Sequence, residues 1–332
     1  MHINLERKLS FSDVNFTPRP TEIPTRKIVN LEVSYICKHS KARFAGVPIV
    51  VANMDTTATI AMAQALSEYK MWVALHKFIP SKDLIEHFHN DGSQCSFMTI
   101  GMGDDEIQRL SDIQEHCRPI PICIDVANGY MYHFLDHIKK VRERFPNSII
   151  MAGNVCTPEG VENIIKAGAD IAKCGIASGS CCSTKDTAGV AYKQFSVALE
   201  CGEAANSLNA LCCSDGGVRV PADFAKALGA GSHLVMAGGI FGGYQECDAQ
   251  WKEVNGRKQM LMYGMSSKIA NEKYCGGLQS YRAAEGIENW IDCKGSVKEL
   301  ALQIRGSLAS VCSYSNVKNL ENLSKNASFN LN

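Results

Sequence analysis

The sequence predicts an α/β fold, a single-domain (β/α)8 or TIM barrel, and three observations lead to this prediction. From about residue 45, short apolar runs rich in β-branched residues alternate with stretches of helical periodicity. There are eight such runs, and 332 residues suit one large domain. No Gly-x-Gly-x-x-Gly follows the first run, which disfavours the alternative, a doubly wound dinucleotide-binding sheet.

The eight runs are predicted to be parallel strands, because they are almost continuously apolar rather than alternating. A strand covered by helices on both faces has this pattern. The runs are 48–53, 72–77, 97–101, 122–128, 148–154, 171–175, 211–217 and 234–239.

Helix signals separate the runs. The stretch 157–168 opens with a Thr–Pro pair, typical of an N-cap and first helical residue, and ends in glycine. The stretch 221–229 also begins with proline and ends with glycine. Ser296 and Glu299 have the spacing of a capping box at the start of the last helix.

The segment 240–290 separates the eighth run from that last helix. Unstructured connections of this length are uncommon in compact domains and are usually functional. We therefore expect an active-site loop segment here, with Glu285 as a candidate acid or base. Residues 1–332 are interpreted as one barrel domain.

Composition and charge exclude several classes of function. Lys and Arg number 34, as do Asp and Glu, so no basic excess exists to bind nucleic acid. No apolar run approaches the roughly 18 residues of a membrane span, and the N-terminus lacks a signal-peptide core. We expect a cytoplasmic protein, with neither nucleic acid nor membrane as partner, whose 15 cysteines are reduced and mostly buried.

Polar residues collect where the predicted strands end, which is where chemistry is located in this fold. They include Lys77 at the end of the second run and Asp125 in the fourth. Ordinary turn chemistry, which favours Asn, Asp and Gly, is an alternative explanation for any one position. The whole set together favours a site at this rim.

Paired glycines end the seventh and eighth runs, as Gly216 with Gly217 and Gly238 with Gly239. Such pairs let backbone N–H groups approach an anion, and the loops after strands seven and eight commonly bind phosphate in barrels. Asp215 has the wrong sign for phosphate but suits the hydroxyls of a ribose. The combination predicts a nucleotide.

Adjacent thiols, Cys181 and Cys182, lie in the hydroxyl-rich loop after the sixth run, with Lys185 nearby. A thiol in such a place can be a nucleophile of lowered pKa. The alternative is a surface cysteine in a mobile loop. Spacing alone does not decide which thiol would react.

Taken together, these segments resemble the IMP dehydrogenase/GMP reductase family over nearly the whole chain. The family's active loop, Gly-Ser-x-Cys-x-Thr, corresponds here to residues 179–184, so the resemblance selects Cys182 as the nucleophile. Segments 51–56, 125–130 and 263–267 match as well.

Two features favour the reductase branch of that family. About 19 residues lie between Lys77 and Phe97, too few for the regulatory domain that IMP dehydrogenases usually insert. The catalytic flap of the dehydrogenases, with its Arg-Tyr pair, is not found between Gly239 and Gly264. The implied reaction is GMP plus NADPH giving IMP, ammonia and NADP⁺. The alternatives are an IMP dehydrogenase without a regulatory domain and a catalytically impaired purine-nucleotide-binding homologue.

The resemblance implies a role for each site residue. Cys182 would attack the purine, Thr184 and Glu285 would handle the proton of the leaving ammonia, and Asp215 would bind the ribose. The other substrate-binding residues implied are Ser180, Gly216, Gly217, Gly238, Gly239, Gly264, Met265, Ser266, Arg282 and Gly286. The residues implied for NADPH are Lys77, Asp125, Val126 and Ala127, with Thr25, Arg26, Ser310, Val311, Cys312 and Ser313 from a neighbouring subunit of a homotetramer.

The active loop departs from the family pattern Gly-x-Gly-Pro-Gly-Ser. Ala177 and Ser178 replace its second glycine and its proline, and Lys185 replaces the usual arginine. Alanine adopts positive φ less readily than glycine, and serine removes a fixed φ. The resemblance also implies a monovalent cation, K⁺ or Na⁺, at the carbonyl of Gly179. The substitutions predict a more mobile loop, with lower or differently regulated turnover.

Overall fold

The structure, a computed structural model, describes residues 5–89, 95–179, 182–278 and 285–332. Its strands are β1 (Val14–Phe16), β2 (Val33–Ile36), β3 (Arg43–Val51), β4 (Met71–Leu75), β5 (Ser96–Ile100), β6 (Ile122–Asp125), β7 (Ile150–Val155), β8 (Ile171–Cys174), β9 (Leu211–Asp215), β10 (Leu234–Ala237), β11 (Trp251–Val254), β12 (Arg257–Tyr263), β13 (Glu288–Asp292) and β14 (Phe329–Leu331). Its α-helices are α1 (Ile60–Ser67), α2 (Ser81–His89), α3 (Asp104–Gln114), α4 (Tyr132–Arg144), α5 (Pro158–Lys166), α6 (Thr184–Ala188), α7 (Gln194–Ser207), α8 (Pro221–Ala230), α9 (Lys268–Cys275), α10 (Val297–Tyr314) and α11 (Leu323–Asn326).

Strands β3 to β10 form a closed parallel barrel. Each pairs with the next, and β10 returns to β3 with Met236 opposite Val50. All eight predicted runs are strands of this barrel, so the TIM-barrel prediction is confirmed. Closure brings the carboxyl ends of all eight strands to one rim, where the site lies.

The amino end of the barrel interior is filled by aromatic rings. Phe44 and Trp72 stack with their ring centroids 4.4 Å apart, and Phe97 packs against both. A second apolar layer lies between the strands and the surrounding helices. The aromatic rings therefore close the amino end of the barrel interior, and polar side chains lie at the carboxyl rim.

The cysteine prediction is confirmed for the part of the chain that the structure describes. Of thirteen cysteines whose side chains are described, nine are buried, and none of the thirteen is in a disulfide. Within the described ranges, no helix combines the length and apolar character that crossing a bilayer requires.

Predicted helix ends are confirmed for α5 and corrected for α8. Thr157 caps α5 by accepting the N–H of Gly160 at 3.3 Å. Helix α8 continues past Gly229 and ends at Gly231, whose φ is 121°. Gly229 has a packing role instead, because a Cβ there would approach the Phe16 ring within 2.8 Å.

The segment 240–290 differs from the expected loop, because it contains a small antiparallel sheet and a helix. Strands β11 and β12 form a hairpin, β13 pairs with β12, and α9 lies between β12 and β13 in sequence. The hairpin turn is Asn255-Gly256, with φ of 51° and 73°. Asn-Gly is the preferred two-residue hairpin turn, so the sequence carried this signal.

Candidate active site

Two adjoining cavities open at the carboxyl rim of the barrel. One, of about 300 Å³, contains Cys182 and is called the Cys182 cavity. The other, of about 580 Å³, contains Lys77 and is called the Lys77 cavity. Their shared walls are Asn53, Asp125, Val126, Ala127, Met265, Ser266 and Glu285. Two ligands held in these cavities would therefore be in contact.

The predicted catalytic residues lie in one line at the Cys182 cavity. The Thr184 hydroxyl lies 3.2 Å from the Cys182 sulfur and donates a hydrogen bond of 2.5 Å to Glu285 Oε2. A bridge between Cys182 and Gly286, and a bond from the Ser183 N–H to the Glu285 carbonyl, hold the two segments together. A thiol, a hydroxyl and a carboxyl in this order can transfer a proton next to a nucleophilic sulfur.

The predicted phosphate glycines divide into two groups. Gly238 and Gly239 line the Cys182 cavity, as does Gly216, and a Cβ at Gly238 would approach the Met54 sulfur within 2.5 Å. The N–H of Gly216 donates to the Met236 carbonyl, and that of Gly217 donates to the Ser178 carbonyl. The expected phosphate contact from the Gly216 and Gly217 N–H groups is thus not available in this arrangement, because both already have partners.

Asp215 lies at the end of β9 in a charged network that sequence analysis did not identify. The ammonium of Lys173, on β8, is fully buried and lies 2.6 Å from Asp125 and 3.0 Å from Asp215. It also donates to Asn154, whose amide donates to Asp215 at 2.8 Å. A lysine inside an otherwise apolar strand is unusual and was the available signal.

The electrostatics of this network follow from its burial and pairing. Burial opposes the charge on Lys173, but Asp125 and Asp215 hold its pKa well above the usual value. Burial likewise opposes the charge on Asp125, and the Lys173 ammonium overcomes it and lowers the pKa of that carboxyl. The buried ammonium thus keeps Asp125 ionised on one wall of the site, and its contact with Asp215 holds that side chain in place on another.

Four of the residues predicted to contact the cofactor lie together. Lys77, Asp125, Val126 and Ala127 all line the Lys77 cavity. The Lys77 ammonium is 5.3 Å from the centre of the Phe78 ring. That ring stacks on Tyr274, with centroids 3.5 Å apart and planes 4° from parallel.

The other six predicted cofactor residues lie at the opposite end of the barrel. Arg305 of α10 bonds the carbonyl of Tyr69, just before β4, and residues 310–313 continue past this level. The short 3-10 helix Arg26–Ile28, capped by Thr25, packs against α10. None of the six lines either of the two cavities, and Cys312 is fully buried in its own chain.

The remaining predicted residues surround the Cys182 cavity or lie outside the described residues. Gly264, Met265 and Ser266 line it, and the Gly179 carbonyl accepts the Cys182 N–H at 3.2 Å. Ala177 has a φ of 59°, in the left-handed region. Ser180, Arg282 and Cys181 are not among the described residues.

Comparison with known proteins agrees with this geometry. The family model described as IMP dehydrogenase / GMP reductase domain matches residues 8–332. The chain is 42% identical over 330 residues to human GMP reductase 1, covering 98% of this chain and 96% of that protein. It is 42% identical over 332 residues to the Caenorhabditis elegans GMP reductase, covering 98% and 92%.

A solved structure shares the fold. A GMP reductase variant from Trypanosoma brucei in complex with guanosine 5′-monophosphate superposes with a TM-score of 0.88 at 20% identity, covering 99% of this chain and 96% of that one. The family match, the two relatives and the rim geometry lead to one conclusion. The chain belongs to the IMP dehydrogenase/GMP reductase family.

Proposed function

We propose that this protein is an oxidoreductase that converts GMP to IMP and ammonia with NADPH as reductant. The observation that carries the proposal is the line formed by Cys182, Thr184 and Glu285 at a rim cavity. Relatives of about 40% identity over nearly the whole chain are named GMP reductase, which supports the same reaction.

The chemistry begins with the sulfur of Cys182, which forms a bond to C2 of the purine while the bond from C2 to the amino group breaks. The proton released by the thiol reaches the leaving amine through Thr184 and Glu285, so ammonia departs neutral. When bound, NADPH supplies a hydride for C2. The bond between C2 and sulfur then breaks, its electron pair returns to Cys182, and a solvent proton restores the thiol.

The nucleotide is oriented by residues on the opposite wall of the Cys182 cavity. Lys173 and Asn154 both bond Asp215 through Oδ2, which fixes the carboxylate plane for binding the ribose hydroxyls. Gly238 and Gly239 lie where the phosphate would be held. Gly217 would join them only after its bond to the Ser178 carbonyl breaks.

The residues of the Lys77 cavity fit a reduced nicotinamide cofactor. The cavity shares the Asp125–Ala127 wall and Glu285 with the Cys182 cavity, so a nicotinamide ring there would lie against the purine. Lys77 supplies a cation for the charged part of the cofactor. NADPH, rather than NADH, is the cofactor that we propose.

A homotetramer is part of the proposal, because six predicted cofactor residues lie far from the cavities of their own chain. Residues 310–313 lie in the last turns of α10, with Cys312 buried, and the 3-10 helix that begins at Arg26 packs against α10. A neighbouring subunit would have to present this part of the chain to the cofactor. Light scattering of the purified protein tests the assembly, and a monomer with full activity would contradict it.

The proposed function also includes a monovalent cation, K⁺ or Na⁺, bound at the Gly179 carbonyl. That carbonyl accepts the Cys182 N–H with one lone pair, and a cation would need the second. Replacing K⁺ and Na⁺ by tetramethylammonium should then lower turnover. Equal rates in all three salts would contradict this part. The cytoplasmic location stays a prediction.

The test of the reaction is the loss of absorbance of reduced nicotinamide when NADPH and GMP are mixed with the protein. Replacing Cys182 by alanine should lower turnover by about 10³-fold or more, since the nucleophile is removed. Cys117→Ala is the matched control, because this half-buried thiol lies outside both cavities and its loss should leave the rate unchanged.

Other outcomes of the same assay identify the alternatives. If absorbance of reduced nicotinamide rises with IMP and NAD⁺ but does not fall with NADPH and GMP, the protein is an IMP dehydrogenase and the proposal is wrong. Binding of GMP without turnover in either direction would indicate the impaired nucleotide-binding homologue. Retention of Cys182, Thr184 and Glu285 in contact argues against that homologue, because binding alone requires none of these groups.

A further inference from the structure

The carboxylate of Asp55, which follows β3, is buried and receives three donors on one oxygen. Tyr263 donates to Oδ2 at 2.6 Å, Tyr274 at 2.8 Å and the Lys273 ammonium at 3.0 Å. Asp55 is 2% exposed, and it does not line the Cys182 or the Lys77 cavity. Hydrogen bonds to a buried charge are among the stronger interactions in proteins.

The donors come from the two ends of one chain segment. Tyr263 is the last residue of β12, and Lys273 and Tyr274 lie in the last turn of α9. Between them are Met265 and Ser266, which line both cavities. One carboxylate oxygen therefore closes the segment 263–274 into a loop over the mouth of the barrel.

Asp55 also contacts the wall that the two cavities share directly, and the Lys77 cavity through one ring. Its N–H donates to the Met265 sulfur at 3.4 Å. The Tyr274 ring stacks on Phe78, and the Lys77 ammonium lies over the other ring of this stack. The carboxylate thus has a continuous path of contacts to both ligand cavities.

We propose that Asp55 is a positioning residue, which holds the substrate-side turn 264–267 and the cofactor-side ring of Tyr274 in one arrangement. The inference rests on the proposed function and deepens it. Tyr263 anchors the end that leads into Gly264, which lines the Cys182 cavity and not the Lys77 cavity, and Tyr274 anchors the end in the Lys77 cavity. Asp55 couples the two.

Two matched tyrosine variants separate the sides, because each removes one hydroxyl from the same oxygen. Tyr263→Phe should raise the KM for GMP, and Tyr274→Phe should raise the KM for NADPH, each by about tenfold, the value of one bond to a charged group. In each variant the KM for the other ligand should stay within about twofold. Asp55→Asn, which removes the charge that the donors of both sides share, should raise both KM values and lower kcat.

A purely structural carboxylate predicts a different pattern. The two tyrosine replacements would then lower the melting temperature by similar amounts and leave both KM values unchanged. This result would overturn the proposal. Lys273→Met should resemble a mild form of Asp55→Asn. Its control is Lys268→Met on the same helix, whose ammonium is exposed and pairs only at 3.8 Å with Glu272.

Dissociation constants keep this test separate from the test of the reaction. Calorimetric titration of GMP and of NADPH into each variant reports both sides without turnover. An inactive wild type whose variants show the same split of Kd values would contradict the proposed reaction and retain the role of Asp55. If the wild type is active and each variant binds both ligands as tightly as the wild type does, the proposed reaction is retained and the role of Asp55 is contradicted.

Discussion

At the scale of single residues, Lys173 is the side chain on which most of the site depends. It contacts two carboxylates and an amide from three different strands, and its removal would leave buried charges without a partner. Lys173→Met should therefore lower the free energy of unfolding by about 3–5 kcal/mol. Urea unfolding measures the loss.

The matched control for Lys173 is a lysine in an exposed pair. Lys166 bonds Glu162 at 2.8 Å one helical turn away, and its side chain is 65% exposed. Lys166→Met should change stability by less than about 0.5 kcal/mol. Equal effects of the two replacements would show that the buried network does not stabilise the fold.

The backbone of Ala177 is a second feature at residue scale. Its φ of 59° is the left-handed conformation, which costs an alanine about 1–2 kcal/mol. Glycine adopts it without strain but loses more entropy on folding, so Ala177→Gly should stabilise the protein by about 0.5–1 kcal/mol.

A change of opposite sign serves as the control for that replacement. Ala204 lies inside helix α7, where glycine is unfavourable. Ala204→Gly should destabilise by about 1 kcal/mol in the same denaturation assay. If Ala177→Gly destabilised as much, the left-handed conformation would be wrong.

At the scale of elements, the start of α10 shows how a correct position can have an unexpected partner. The predicted capping box joined Ser296 to Glu299. The Ser296 side chain does accept the Lys298 N–H, but its hydroxyl donates to Glu246, which also accepts the Val297 N–H at 2.9 Å. A carboxylate brought from the segment before β11 therefore takes the place of the local one.

This exchange of partners predicts unequal effects of two glutamate replacements. Glu246→Ala should destabilise the protein by about 1–2 kcal/mol, because it leaves the first helical N–H without its acceptor. Glu299→Ala should cost a few tenths of a kcal/mol, the value of an acidic residue near a helix N-terminus. Thermal unfolding of both variants decides, and the reverse ranking would restore the capping box.

At the scale of the whole molecule, one buried and two half-buried histidines predict how stability depends on pH. Burial lowers the pKa values of His76, His87 and His233 to about 4. In the unfolded chain they titrate near 6.5, so between about pH 4 and 6.5 the unfolded state binds more protons. Stability should therefore fall as pH falls through this window, by about 2 kcal/mol per histidine between pH 7 and 5.

His87 offers a direct test of that dependence. Its ring lies 3.0 Å from the Ser96 hydroxyl, a contact that a glutamine amide can replace. His87→Gln should lose less stability than the wild type when the pH is lowered from 7 to 5. His133 is exposed, so His133→Gln should leave the pH profile unchanged, and a similar change in both variants would contradict burial as the cause.

Much of the fold could be predicted because its signals are local. A strand covered on both faces shows as an apolar run, and all eight runs proved to be barrel strands. The sheet β11–β13 was missed because β11 and β13 are short and partly exposed, although its Asn-Gly turn was visible. Gly229 was misinterpreted because a glycine needed for packing looks the same in sequence as one that ends a helix.

The candidate site was predictable in its residue types and less so in its contacts. The thiol loop, the glycine pairs and Asp215 were visible from the sequence, and Cys182 was chosen by resemblance to a family. The partners of Lys173, which are Asp125 and Asp215, could not be predicted, and neither could the bonds from the Gly216 and Gly217 N–H groups to Met236 and Ser178. Each of those contacts joins separate strands or loops.

The sequence by itself determined the alternation of strands and helices, the rim at which polar groups collect, and the family. Periodicity, turn residues and short motifs are properties of residues close together in the chain, so they can be identified from the sequence alone. Only the tertiary structure decided that Thr184 meets Glu285, that Lys173 is shared by two carboxylates, and that Asp55 holds both ends of one segment. These pairs lie far apart along the chain, and barrel closure and packing set the distances between them.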